Sequence, residues 1–442
     1  MEPSPEEREM LKFLGMESFE ELFEDIPKEV RAGIDLPKGK SEAEVLREAK
    51  EILSRNRSFF EMPNFLGAGV YFHYVPAAVW HLLQRSELYT SYTPYQPEVS
   101  QGMLQAQFEY QSLMAELLEM EVVNASMYDW STAIGEAARM AYRITGRRKF
   151  AIPRHMLPDK KEVLKNYVWG LGMEIVEYDY DRETGESDLN SIESVVDEDL
   201  AGLYLENPNF LGVVESRAQE IKEILGKAVF VVGVNPVSLG ILKPPGSYGA
   251  DIVVGEAQVF GSPPNFGGPL LGIFATSLRH VWRMPGRLIG MSRDADGNRS
   301  FLMILQAREQ HIRRARATSN ICSNEALCAV ASAIYLSLLG RSGLRKLALV
   351  NHTNAVRLMK MLSEIPGVEI PHSGYHFNEF VVRLPKDEDE VHRGLLERGY
   401  HGGLRLKRIL PELGDSMLLC TTELHTKGVL EGFARALREV VS

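Results

Sequence analysis

Val231-Val232-Gly233-Val234-Asn235 and, further on, Gly249-Ala250-Asp251-Ile252-Val253-Val254-Gly255-Glu256-Ala257-Gln258-Val259-Phe260 decide the fold of this chain. Each is a short, continuous apolar run that ends at a glycine or a polar residue. Strands covered on both faces read this way, whereas half-exposed strands alternate. Working outward, the pattern predicts strands at 149–152, 174–178, 200–205, 228–234, 251–255 and 270–275, with helices at 132–144, 159–169 and 215–226. Short apolar strands separated by helices argue for an α/β domain with a mostly parallel sheet. The loops after Val234 and Glu256 then lie at the carboxyl ends of strands, where such sheets bind ligands. Lone glycines at strand ends are most often turns, so spacing alone carries the reading no further.

After Asn324 a long helical stretch runs to about Leu362. A strand at 379–384, a helix at 388–398, a strand at 416–421 and a helix at 426–440 follow, the pattern of a smaller α+β domain. The first 60 residues read as an acidic helical arm. Ser41 and Glu44 fit a capping box, and Ala43, Val45, Leu46, Ala49, Ile52 and Leu53 recur at helical spacing. That stripe is expected to be buried against the main body or a second subunit. The expected organisation is an arm over 1–60, a large domain over 61–323 and a small domain over 324–442. A further helix from about Gln101 to Leu118 is expected to bury Met103, Leu104, Phe108, Met114 and Leu117.

The 442 residues carry 49 basic and 60 acidic side chains, a formal charge of −11, which opposes nonspecific binding to a phosphate backbone. Nucleic acid is not an expected partner. Cys322, Cys328 and Cys420 form no C-x-x-C pair and no disulfide framework; they read as buried thiols in a reducing compartment. The acidic start Met1-Glu2-Pro3-Ser4-Pro5-Glu6-Glu7-Arg8 is unlike a signal peptide, and no uninterrupted apolar run reaches the roughly 18 residues of a membrane span. A cytoplasmic protein without membrane contact is expected, and no metal site is read from the sequence.

Asn124 to Ala137 places small and hydroxyl residues just before a helix. Its free N–H groups suit an anion, or equally a simple N-cap from Asp129 or Ser131. Arg308-Glu309-Gln310-His311-Ile312-Arg313-Arg314-Ala315-Arg316 is a basic cluster in an acidic chain. Most such runs are solvated faces, although arginine also captures phosphate or carboxylate in bidentate fashion. The segment Tyr89 to Gly102 gathers more tyrosine hydroxyls than core packing explains.

These segments together resemble the P-protein of the glycine cleavage system, the pyridoxal phosphate-dependent glycine decarboxylase family. The resemblance rests on Phe65-Leu66-Gly67-Ala68-Gly69 with His73 and Pro76, on Thr93 to Gly102, on Phe108-Glu109-Tyr110-Gln111, on Asn124 to Asp129, and on Arg308 to Cys322. It extends over nearly the whole chain and implies a fold-type I aminotransferase-like architecture with active sites at a dimer interface.

Two departures are specific. Where the catalytic half of the family carries an aspartate against the cofactor's pyridine nitrogen, this chain has Val232. Where it carries the Schiff-base lysine, this chain has Gln258 and Val259, and no lysine lies between Lys243 and Lys346. Neither glutamine nor valine can form an imine. The resemblance therefore implies the lysine-less alpha half of a P-protein split over two chains. A beta partner would hold pyridoxal phosphate, in a heterodimer or an α2β2 assembly. The pair would decarboxylate glycine and pass the aminomethyl group to the lipoyl arm of the H-protein. Tyr92, Thr93, Tyr95, Gln96 and Glu98 are expected to line the partner's cleft with His73 nearby, and Arg308 and His311 to meet an anionic group. The rival expectations are a noncatalytic scaffold that only stabilises the beta chain or docks the H-protein, and a self-sufficient enzyme using Lys243. The latter is disfavoured because Lys243 sits in a turn between Leu242 and Pro244.

Overall fold

A computed structural model describes residues 3–33, 36–264, 268–321 and 324–442. Cys322 lies outside the described residues. The chain divides into two compact units, Met1–Arg57 and Ser58–Ser442. The first contains helices Pro5–Phe13 and Glu42–Leu53, each opened by a capping box, Ser4 with Glu7 and Ser41 with Glu44. Within this unit Val45, Leu46, Ile52 and Leu53 are exposed, so the arm does not bury the expected stripe by itself. A segment this short cannot assemble a core of its own, and Leu11 is its one buried apolar residue among those described.

The second unit is built on a seven-stranded sheet ordered β1-β7-β6-β5-β4-β2-β3. Its strands are β1 (Val122–Val123), β2 (Lys149–Pro153), β3 (Glu174–Tyr178), β4 (Leu200–Glu206), β5 (Val229–Val234), β6 (Ile252–Glu256) and β7 (Gly272–Thr276). Strands β2 to β6 pair in parallel, while β7 runs antiparallel to both β6 and β1. Successive residues serve opposite faces. Phe230, Val232 and Val234 of β5 pack in one apolar cluster with Met114 and Leu118, while Val229 and Val231 pack in the other with Ala137 and Leu164. This two-sided covering is what the unbroken apolar runs required. It aligns the carboxyl ends of β4, β5 and β6 along one edge.

The helix Gln101–Leu118 buries Gln107, Tyr110 and Gln111 beside Met103, Leu104 and Met114, whereas Phe108 and Leu117 are only half-buried. Gln111 explains the departure. Its side chain bonds the backbone of Ile289 at both N and O, so a polar residue is satisfied inside. Ile289 belongs to an unforeseen hairpin, β8 (Leu288–Arg293) and β9 (Arg299–Ile304), closed where Asp294 accepts from the backbone of Asp296 and Asn298. The Asp-Gly signal at Asp296-Gly297 was legible; the flanking strands are too polar to announce themselves.

The helix Ala326–Ser363 is bent at Gly340, where φ is 57° and ψ −177°. It is long and apolar enough to cross a membrane by length and composition. Here it packs inside the protein, with Ala329 and Tyr335 on the large sheet's cluster and Leu358 and Leu362 on the small sheet's. That small sheet is antiparallel, in the order β10-β12-β11: β10 (Glu379–Arg383), β12 (Ser416–Cys420) and β11 (Leu404–Arg405). Helices Glu388–Glu397 and Lys427–Val441 cover it. Cys420 is buried, as expected; Cys328 is only partly so.

Gly212 joins the two sheets. At φ +83° it lies so close to the carbonyl of Glu379 that an added Cβ would overlap it, whereas Gly297, at φ +84°, faces open space. Gly297→Ala is expected to cost about 1 kcal/mol from backbone strain alone, and Gly212→Ala roughly 3 kcal/mol or more from strain plus overlap, read by urea denaturation.

Candidate functional site

The carboxyl ends of β4, β5 and β6 present Glu206, Val234-Asn235 and Glu256. Glu256 is buried and accepts three backbone N–H groups: Gln258 at 3.0 Å and Leu271 at 2.6 Å on Oε1, and Trp130 at 3.2 Å on Oε2. Burial pushes its carboxyl up to about 7 against the lowering effect of those donors. Asp129 caps the helix Trp130–Thr145, its Oδ1 accepting from Thr132 N at 2.8 Å. Two of the N–H groups read as a possible anion cradle, those of Trp130 and Thr132, are thus bonded to this chain's own carboxylates, and the cap is Asp129.

Gln258 follows in a tight turn, buried. Its Oε1 accepts from Tyr71 N at 3.3 Å, and its Nε2 donates to Tyr71 O at 3.3 Å and to Ser262 O. Tyr71 OH donates to Glu379 Oε2 at 2.6 Å, and Ala68 N donates to Glu379 Oε1 at 2.7 Å. The strap Gly67 to Tyr74 therefore crosses the strand ends between Gln258 and the small sheet. Gly67 is required there because an added Cβ would overlap the Glu379 carboxyl and stand 2.7 Å from Cys420 Cβ. Beside the strap, Lys160 Nζ donates to Glu206 Oε1 at 2.8 Å and lies 3.3 Å from the Trp130 ring centroid. Tyr204 OH completes the group, donating to Glu206 Oε2 at 3.1 Å.

These residues do not fit pyridoxal phosphate, the cofactor that the resemblance implies for this fold. Val232 on β5 is fully buried and carries no charge for a pyridinium nitrogen. Gln258 offers no amine and is committed to Tyr71. The buried amine of Lys160 is committed to Glu206 and Trp130, and Lys243 is exposed.

The remaining residues singled out in the sequence separate into two places. Tyr92, Tyr95, Gln96 and Glu98 are exposed and Thr93 is half-buried, all just ahead of the Gln101–Leu118 helix. Tyr95 OH accepts from Arg287 Nη2 at 2.8 Å, and the same guanidinium lies 4.9 Å from the Tyr95 ring centroid. Arg287 Nη1 donates to Glu309 Oε2 at 3.0 Å, and His311 Nδ1 stands 3.8 Å from that oxygen and edge-on to Tyr95. Tyr95 and His311 are brought together, through Arg287 and Glu309, which the sequence reading missed. Glu309 was hidden within the basic run, and Arg287 stands alone after Met284-Pro285-Gly286 with nothing to mark it.

His73 and Arg308 are placed differently from expectation. His73 points into its own chain, with Nδ1 2.8 Å from Glu423 Oε2, while Glu423 Oε1 accepts from Tyr74 N at 2.6 Å. Burial raises the Glu423 carboxyl, but His73 and the Tyr74 amide outweigh it and leave a net lowering. The alternation along the strap puts Tyr71 and His73 inside and Tyr74 outside. Arg308 is buried, donating from Nη1 to Met284 O at 2.6 Å and from Nη2 to Gly286 O at 2.7 Å. It holds the loop that carries Arg287, and is not presented to an external anion.

Compared with known proteins, the sequence matches the family described as "Glycine cleavage system P-protein" over residues 2–436. It is 54% identical to the probable glycine dehydrogenase (decarboxylating) subunit 1 of Thermococcus onnurineus, covering 98% of this chain and 97% of that one. The protein of the same name from Saccharolobus islandicus is 45% identical, with 98% and 96% covered. Among solved structures, a glycine decarboxylase (P-protein) of the glycine cleavage system in inhibitor-bound form superimposes with a TM-score of 0.90 at 42% identity over the full length of both chains. A glutamate decarboxylase from Lactobacillus brevis, at 11% identity and TM-score 0.69, shares the fold alone.

Burial pushes the Glu379 carboxyl up to about 7, with Ala68 N and Tyr71 OH acting to lower it. A folded value above the unfolded one means that the folded state alone keeps the proton between them. The resulting stability is present at low pH and lost as pH rises through about 7. The difference in unfolding free energy between the native chain and Glu379→Gln should therefore fall by about 3 kcal/mol from about pH 4 to about pH 8 and level off above. Buried histidines such as His376, held down near 4 by burial, act in the opposite sense and cancel in that difference.

Proposed function

This chain belongs to the glycine cleavage system P-protein family, and from that premise we propose that it is the alpha subunit of a heteromeric glycine decarboxylase. Its relatives bear the name subunit 1, which supplies the partner. The family uses pyridoxal phosphate, which when bound serves as the electron sink for loss of CO2 from glycine. In this reading the beta subunit anchors that group on its own lysine, and the lipoyl arm of the H-protein accepts the aminomethyl group. The compartment is cytoplasmic, in keeping with the free thiols of Cys328 and Cys420.

One observation carries the reading. Val232 carries no charge for the cofactor, Gln258 is bonded to Tyr71, and Trp130 N and Thr132 N are bonded to this chain's own carboxylates, while Tyr74, Trp80, Tyr89, Tyr92 and Tyr95 stay exposed nearby in sequence. Aromatic side chains so presented are the usual anchors of a protein interface. The alpha chain then contributes orientation rather than covalent chemistry. Arg287, buried and bonded to Glu309, holds the Tyr95 hydroxyl and ring in one position. His311 stands edge-on to that ring. Tyr92, Thr93, Gln96 and Glu98 supply the polar rim, and the inward His73 supports the strap from behind.

Mixing this chain with its beta partner and assaying glycine carboxyl exchange tests the proposal. Neither chain alone should turn over. Tyr95→Phe, which removes the hydroxyl bonded to Arg287, should lower kcat about tenfold, the worth of one hydrogen bond to a charged group. Full activity of beta alone would sink the reading. An unchanged rate for Tyr95→Phe together with Glu98→Ala would favour a scaffold that leaves the cofactor untouched.

A further inference from the structure

Three tasks would fall to the strand ends if this fold held the cofactor that the resemblance implies: the helix N-terminus is suited to an anion, the covalent bond is expected after β6, and the strap above would close the site. In this protein each task has been taken over by a contact within the chain. Thr132 N and Trp130 N donate to Asp129 and Glu256. Glu256 Oε1 in turn accepts Gln258 N, so one carboxylate fixes both the helix and the turn that aims Gln258. Gln258 meets the strap through both ends of its amide, accepting from Tyr71 N and donating to Tyr71 O. Tyr71 and Ala68 complete the span to Glu379 on β10. All four side chains of this path, Glu256, Gln258, Tyr71 and Glu379, are buried. A buried path with its donors and acceptors matched is costly to open, because each group released inside would be left unpaired.

We infer that the region where the resemblance places the cofactor is, in this chain, a filled brace, in which Glu256 and Gln258 clamp the Trp130–Thr145 helix to the Gly67–Tyr74 strap, so that introducing lysine at position 258 or 259 does not create cofactor binding. Gln258 is thereby a positioning residue. It sets the backbone of Tyr71, and with Glu423 on Tyr74 N it fixes which side of the strap faces out. Only the consequence for a partner, through exposed Tyr74, rests on the function proposed above; the brace itself is a property of the isolated chain.

The test uses the full chain without partner or glycine, so its outcome is independent of whether the complex decarboxylates. Gln258→Lys and Val259→Lys are each incubated with excess pyridoxal phosphate, reduced with borohydride and mapped by peptide mass. The brace predicts no adduct at position 258 or 259 above that on surface lysines and no visible-region absorbance, whereas a stoichiometric adduct on either introduced lysine overturns it. A measurement on the unaltered chain stands beside this in case either variant misfolds. Amide exchange at Trp130, Thr132 and Tyr71 should be slow and indifferent to pyridoxal phosphate, and added protection on addition would overturn the inference. Gln258→Met keeps the side-chain volume and loses both bonds to Tyr71 as well as the one to Ser262. It should speed exchange across residues 69–74 by about tenfold or more while leaving β5 unchanged. Equal exchange in the strap would show that packing, not the amide clasp, holds it.

Discussion

The carboxylate of Glu256 is the constraint on which the rest of this structure turns. One side chain at the end of β6 accepts the first N–H of the Trp130–Thr145 helix, the N–H of Gln258 and the N–H of Leu271 ahead of β7. A buried carboxylate is tolerable only when its oxygens are met by donors. Meeting that condition here fixes three chain segments at once. Through Gln258 the constraint passes to Tyr71, and through Tyr71 to Glu379 and the small sheet.

Around that centre the protein carries several ionisable groups in its interior, Lys160 against Glu206 and Arg287 against Glu309 among them. Such pairs add little net stability, since desolvation offsets most of the attraction. Their effect is on uniqueness. Lys160 can satisfy Glu206 and the face of Trp130 in only one arrangement of helix and strand. The same holds for Arg287, whose two terminal nitrogens serve Glu309 and Tyr95. Around Glu256, Gln258 and Glu206 this chain closes its interior with matched charges and bonds. What it keeps exposed is an aromatic, hydroxyl-rich segment ahead of the Gln101–Leu118 helix.

The two regions are linked by the arginines of the 284–309 loops. Arg308 bonds the carbonyls of Met284 and Gly286, and the loop so held delivers Arg287 to Tyr95. An arginine that looked like a ligand contact is the support of another arginine, and that other one reaches the exposed face. The basic cluster thus divides by burial: Arg308 is structural, while Arg313, Arg314 and Arg316 remain at the surface.

The α/β class, the parallel centre of the sheet and its edge of strand ends were legible in runs such as Val231 to Asn235, because a strand buried on both faces has no freedom to alternate. The lost chemistry was legible too, since an imine needs an amine and Gln258 has none. The antiparallel course of β7, the β8–β9 hairpin, the inward turn of His73 and Arg308, and the pairing of Tyr95 with Arg287 were not. The hairpin is local but its strands are too polar to stand out; the others depend on residues well apart in sequence, as Tyr71 and Gln258 are, and a side chain's role is set by which distant donor or acceptor reaches it once the core has closed. Residue type and spacing determined what chemistry this chain cannot perform alone; only tertiary packing decided what polar groups such as Glu256 and Gln258 do instead, because leaving them buried and unpaired would be costly.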